Sequence, residues 1–270
     1  MGIDVGSSMI KAVAVTKSGV IATKMVVTGD ASESAQLVLK AVVSDAGKEL
    51  EDVLAVAVTG GGAHLVGDTI LGLSTTRVDE IKAVGLGALK LSGKKNALVV
   101  NMGTGTSLIV ASDDGRKIEH IGGTAVGGGT IEGLGRRMLG KSRFKDLEKM
   151  ANGGNTNNID LTVEDVEGGP VGILPQNATA SNFKKLDIDS DGNDVAAAIF
   201  NMVSEVIGVV ASMAARAYHD EEDIVLVGNL IQSKRIADGI ESVMKLFHMK
   251  VCIPKNGEFC AAIGAAESIM

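Results

Sequence analysis

Val99-Val100-Asn101-Met102-Gly103-Thr104-Gly105-Thr106-Ser107 is the stretch on which the fold turns. An apolar run enters a G-T-G-T-S corner and leaves as a second apolar run to Val110, which turns at Asp113-Asp114-Gly115. A third segment follows and ends in Gly127-Gly128-Gly129-Thr130. A strand, a polar glycine corner and a returning strand gather backbone N–H groups and hydroxyls in one concave place. That is an anion cradle, and phosphate is its usual occupant.

The same pattern stands once before it. Ile3-Asp4-Val5 starts a strand, Gly6-Ser7-Ser8 makes a tight corner, and residues 10–16 return as a strand. Lys17-Ser18-Gly19 then turns the chain into a third strand over 20–27. Gly6 maps to Gly103 and Gly19 to Gly115, an offset of about 97 residues. A hairpin unit used twice predicts an α/β, duplicated, two-lobed fold with a central cleft. The two corners would clamp one polyphosphate from both sides. The expected lobes are residues 1–93 and 94–270, with the last helix packing back between them.

Outward from these corners, apolar spacing at Ala35, Val38, Leu39 and Val42 predicts a helix over 33–46 with Ser32 as N-cap. Residues 54–58 read as a buried strand ending in Thr59-Gly60-Gly61-Gly62. That loop is either a sharp strand-to-helix turn or part of the cleft floor. Residues 79–91 read as a helix with an acidic first turn that suits the helix dipole. Helices are also expected from 131, over 195–217, over 234–246 and over 261–270, with a strand over 224–227. Arg136, Arg137, Lys141, Arg143 and Lys145 read as a solvated face, and 162–194 as mixed structure with turn signals.

Of the 270 residues, 45% are hydrophobic but only 2% aromatic, so the core is built of Val, Ile, Leu, Ala and Met. Thirty-five glycines against three prolines mean many tight turns rather than a disordered linker. A net charge of −7 without a basic block argues against nucleic acid or an acidic membrane surface as partner. Residues 195–217 are the most apolar long segment, yet Asn201, Ser204, Glu205, Ser212 and Arg216 interrupt them. They read as a core or dimer-interface helix rather than a membrane span. Cys252 and Cys260 fit no zinc or thioredoxin spacing and suit a reduced cytoplasm. No signal peptide is expected, because the sequence opens at once on a glycine and an aspartate.

Six ordered blocks resemble the type II pantothenate kinases, within the actin/hexokinase/heat-shock-chaperone (ribonuclease H-like) class of ATP-dependent proteins. They are Gly2-Ile3-Asp4-Val5-Gly6-Ser7-Ser8-Met9-Ile10-Lys11, Thr59-Gly60-Gly61, Val78-Asp79-Glu80, Asn101 to Ser107, Gly123-Thr124-Ala125-Val126-Gly127-Gly128-Gly129, and Asn256-Gly257-Glu258-Phe259 with Ala262-Ile263-Gly264-Ala265. The resemblance implies transfer of the ATP γ-phosphoryl group to pantothenate, giving 4′-phosphopantothenate in coenzyme A synthesis, by a cytoplasmic homodimer.

Carried onto this chain, the resemblance gives an ATP site of Asp4, Val5, Gly6, Ser7, Ser8, Met9, Ile10 and Lys11. Asp4 would hold Mg²⁺ through water, because Mg²⁺ dehydrates reluctantly, and Lys11 would supply charge near the phosphates. Thr104, Gly105 and Thr106 would line the γ-phosphate. Gly128, Gly129, Thr130, Ile131 and Glu132 would bring helix N-terminal amides to the nucleotide. Phe144 stacks on adenine or fills the core, and Asn229 falls at a nucleotide contact. Glu80 lies seven residues before Gly87, the family's spacing for its catalytic base; the plainer alternative is a helix-dipole acid, with Asp79 beside it. Glu80 and Thr104 would face the acceptor. His120 stands where relatives carry an arginine to pantothenate, and an imidazole offers fewer donors and no fixed charge.

Two alternatives belong to other classes. One is an ATPase activator of a 2-hydroxyacyl-CoA dehydratase type system, whose cluster-holding cysteines would sit mid-chain rather than at 252 and 260. The other is a non-catalytic nucleotide sensor of the same fold.

Overall fold

The computed structural model describes residues 1–218 and 223–270. The first sheet begins with β1 (Gly2–Val5), β2 (Met9–Thr16) and β3 (Gly19–Val27). Helix α1 (Ala31–Asp45) crosses over to β4 (Val56–Thr59), and a short hairpin, β5 (Thr69–Ile70) and β6 (Leu73–Arg77), completes it. The strand order is β3-β2-β1-β4-β6-β5. The first three strands run antiparallel, and β4 and β6 add in parallel. Asp30, not Ser32, caps α1: its carboxylate accepts the Glu33 N–H at 2.9 Å, while Ser32 lies inside the first turn.

Helix α2 (Glu80–Ser92) leads into the second sheet, which opens with β7 (Ala97–Met102), β8 (Thr106–Ser112) and β9 (Lys117–Thr124). A helical excursion follows: α3 (Gly128–Leu139), α4 (Phe144–Asn152), the pair β10 (Leu161–Thr162) and β11 (Thr179–Ser181) around α5 (Val163–Glu167), and α6 (Gly192–Tyr218). The chain closes with β12 (Ile224–Val227), α7 (Lys234–Leu246), β13 (Val251–Cys252) and α8 (Cys260–Glu267). The order β9-β8-β7-β12-β13 repeats that of the first sheet, with the same antiparallel and parallel senses. The corner itself differs by one residue. Val5 pairs with Ile10 around the first, Met102 with Thr106 around the second, so the repeat offset drops from 97 to 96 within it.

Helix α6 is long and apolar enough to span a membrane. It is nevertheless a core helix, with Phe200, Val203, Ile207 and Ala211 all buried against the second sheet and α7.

Where the lobes meet, α2 and α8 cross with almost no side chain between them. A Cβ on Gly87 would strike the Cys260 carbonyl, and one on Gly264 the Ala83 carbonyl. Lys90 and Glu267 pair at 3.1 Å along the same crossing. Lys90 and Glu267 are 177 residues apart, and the same shift relates Ala83 to Cys260 and Gly87 to Gly264, so the two glycine contacts are reciprocal, a second imprint of the repeat. The helices are also exchanged: α8 lies on β1, β2 and β4 of the first sheet, and α2 on β7, β8 and β9 of the second.

Candidate active site

The two corners face each other. Ser7 Oγ and Thr104 Oγ1 are 3.1 Å apart across the lobe boundary. Between and behind them opens a cleft of about 800 Å³. The Ser7, Ser8, Thr104 and Gly105 amides donate to no described protein group, as an anion cradle requires.

On the floor, Asp4 and Lys11 stand opposite each other in the β1–β2 register and therefore share one face. Lys11 is only 7% exposed, yet its ammonium makes no hydrogen bond or ion pair with a described residue. Burial pushes the Asp4 carboxyl up to about 6, Lys11 opposes that, and the Glu80 charge adds to it. The loop after β4 closes the floor: a Cβ on Gly60, at φ +93°, would lie 2.5 Å from Asp4 Oδ1, and Gly61 and Gly62 line the cleft.

Asp79 is the N-cap of α2, its carboxylate accepting the Lys82 N–H at 2.9 Å. That duty leaves Glu80 free to point into the cleft. Burial, and then the Asp79 charge, raise the Glu80 carboxyl above its ordinary value. No group of three or more metal-ligating side chains occurs among the described residues. A buried carboxylate facing the phosphate cradle still fits Mg²⁺, which takes one or two protein ligands and fills its sphere with phosphate oxygens and water.

Most residues expected at the site line this cleft: Asp4, Val5, Gly6, Ser7, Ser8, Met9, Lys11, Glu80, Thr104, Gly105, Thr106, Gly128, Gly129, Glu132, Phe144 and Asn229. Four do not. Ile10 and Ile131 are fully buried, one in each lobe's core. The Thr130 hydroxyl accepts the Gly127 N–H at 3.2 Å and so works as a cap. His120 is exposed on β9, opposite Ile109.

The start of α3 also differs from expectation. Its Gly128 and Gly129 amides donate to the carbonyls of Gly103 and Thr104 at 2.9 Å each, so they brace the second corner rather than stay free. The Thr106 hydroxyl is held by Val126 O at 2.9 Å. Phe144 lines the cleft with its ring 5.3 Å from that of the core residue Phe200. Sequence reasoning did not single out Asn101, His64 or Glu258, which also line the cleft. Asn101 and Glu258 lay inside the quoted blocks. His64 had no signal beyond following three glycines.

Two matching sheets, exchanged helices and a corner-lined cleft define the actin/hexokinase-like class of two-lobed proteins. A dehydratase activator from Clostridium difficile with bound ADPNP superposes with a TM-score of 0.69 at 16% identity, over 98% of this chain and 91% of that one. A ROK family glucokinase from Streptomyces griseus, in complex with glucose and AMPPNP, gives 0.60 at 16% identity over 99% and 97%. At such identities the likeness speaks for the fold alone. Sequence goes further. The Fumble family model matches residues 93–267. A type II pantothenate kinase from Staphylococcus aureus (strain USA300) is 32% identical over 215 residues, 77% of this chain and 80% of the relative. The chain belongs to the Fumble family of type II pantothenate kinases.

Proposed function

We propose that this chain transfers the γ-phosphoryl group of ATP to the primary hydroxyl of pantothenate, giving 4′-phosphopantothenate for coenzyme A synthesis. The observation that carries the reading is the pair of apposed corners with Asp4, Lys11 and Glu80 on the cleft surface beside them. Phosphoryl transfer asks mainly for positioning and for charge opposite the equatorial oxygens. The free corner amides and the unpartnered Lys11 ammonium supply both. Glu80 takes the hydroxyl proton as the oxygen attacks, and its raised pKa makes it a better base than an ordinary surface glutamate. Asp4 would hold Mg²⁺ bound with the nucleotide, and the ion would neutralise triphosphate charge.

The acceptor's carboxylate meets little fixed charge. Among the described residues that line the cleft, the basic side chains are Lys11 and His64. Lys11 serves the phosphates, which favours tolerance for neutral amides of pantothenate. An ADP-release assay over a panel of hydroxyl compounds tests the reading. Release that requires pantothenate or its amides supports it, and equal ATP consumption with and without them overturns it.

The lobes are residues 1–93 and 94–270, and the enzyme works as a cytoplasmic homodimer through α6. Val209 and Met213 of that helix are 42% and 49% exposed, which supports an interface there. Light scattering that returns a monomer would overturn the dimer.

A further inference from the structure

Thr59 is the last residue of β4 and stands beside Asp4 in the parallel β1–β4 register, on the face that α8 covers. It is 0% exposed, and its Oγ1 is buried without any hydrogen-bond partner. A buried unpaired hydroxyl destabilises a fold, and an apolar side chain of the same shape removes that penalty. The molecule contains its own comparison. In the second sheet, the residue opposite Asn101 in the matching register is Val227, which has the shape of threonine without the hydroxyl. Valine is therefore structurally acceptable at this register position, which threonine occupies in the sheet that carries Asp4.

We propose that Thr59 is a positioning residue that acts through Asp4: its hydroxyl is unpartnered in the resting protein and donates to the Asp4 carboxylate once Mg²⁺-nucleotide occupies the cleft. The inference rests on the reading of Asp4 as the residue facing that nucleotide. The groups facing Asp4 are Lys11 from β2, Glu80 from α2 and Cys260 from α8. The Cys260 Sγ is already committed to the Val84 carbonyl at 3.3 Å. Thr59 is thus the neutral donor next to the carboxylate that has nothing else to do.

The test compares Thr59→Val and Thr59→Ser in the full chain. Without ligand, Thr59→Val should melt about 2–4 °C above wild type. Added Mg²⁺-ATP should raise its melting temperature less than it raises wild type's, and kcat should fall roughly tenfold with KM for pantothenate unchanged. Thr59→Ser should restore both nucleotide responses. A fall in the unliganded melting temperature of Thr59→Val would mean that the hydroxyl is already bonded at rest, and would overturn the proposal. So would wild-type kcat and nucleotide shift in that variant. A wild-type protein that neither binds ATP nor transfers phosphate would instead defeat the kinase reading itself.

Discussion

The two hairpins are built alike and equipped differently. At matching places the first sheet carries Asp4, Lys11 and Thr59, the second Asn101, Ser107 and Val227. The backbone is retained through the repeat: Gly60 and Gly228, which follow Thr59 and Val227, sit at φ +93° and +96°, each pressed on the opposite strand. The ionisable side chains are not. The first corner supplies charge, while the second supplies neutral hydrogen bonds and is braced from behind by α3. Duplication thus delivered a symmetric frame, and substitution at a few floor positions made its halves chemically unequal.

This comparison can be broken or sharpened by exchanging side chains between the halves. The largest effect is expected outside the exchange, at the base: Glu80→Gln should fold and bind ATP but lose about 10²–10⁴-fold in kcat. Near-normal ADP release from that variant would remove Glu80 from the chemistry. Giving the first corner its counterpart's amide, Asp4→Asn, should cost roughly 10²-fold in kcat/KM at saturating Mg²⁺. Lys11→Ser should raise KM for ATP by about ten- to a hundredfold, the value of a charge-assisted hydrogen bond. If either exchange is silent, the division of labour between the corners is wrong.

Stability carries a smaller signature. The native Asp4 carboxyl is raised from 3.8 to about 6, so between those values the folded state binds more protons than the unfolded chain. Unfolding free energy therefore has a component that falls as pH rises through that window. Urea titrations at pH 4.5 and 6.5 should show Asp4→Asn relieved of it, and an identical pH slope in both proteins would contradict the assignment. Smallest of all is the Ser7–Thr104 contact. It is exposed, and a double-mutant cycle with alanine should give a coupling of only about 0.5–1 kcal/mol in stability.

Much of this could be read from the residues alone, because backbone-driven features leave spacing behind. Glycine corners recur at a countable offset, and α7 occupies the expected residues 234–246, with Ser233 as its cap. What the sequence hid has physical causes. The β5–β6 hairpin is an edge feature whose run Leu73–Arg77 shows no apolar alternation, since it buries little. Helix α4 lay inside a charge run, where only Leu147 and Ala151 of its face are buried. Ile10 fell within the first motif, but a strand turns alternate residues to opposite faces, and the alternation that gives Lys11 to the cleft gives Ile10 to the core. His120 is expected to face the acceptor, yet β9 leaves it exposed and it does not line the cleft. Thr59 and Asp4 are 55 residues apart, and only strand pairing makes them neighbours.

The exchanged helices set the order in which the molecule can be finished. On the ribosome the first sheet is complete at Arg77, and α1 can seal one face of it at once. The helix that seals the other face begins at Cys260, after more than 180 further residues. At ordinary synthesis rates that delay is about 10–40 s. Around β1 the waiting face bears Gly2, Asp4, Lys11, Ala57 and Thr59, all small or polar, whereas its outer part on β2 and β3 carries Val13, Val15, Val20 and Met25. The part shaped for a triphosphate can wait in water, and the valine-lined part beside it is what a half-made chain must keep from its neighbours until α8 arrives.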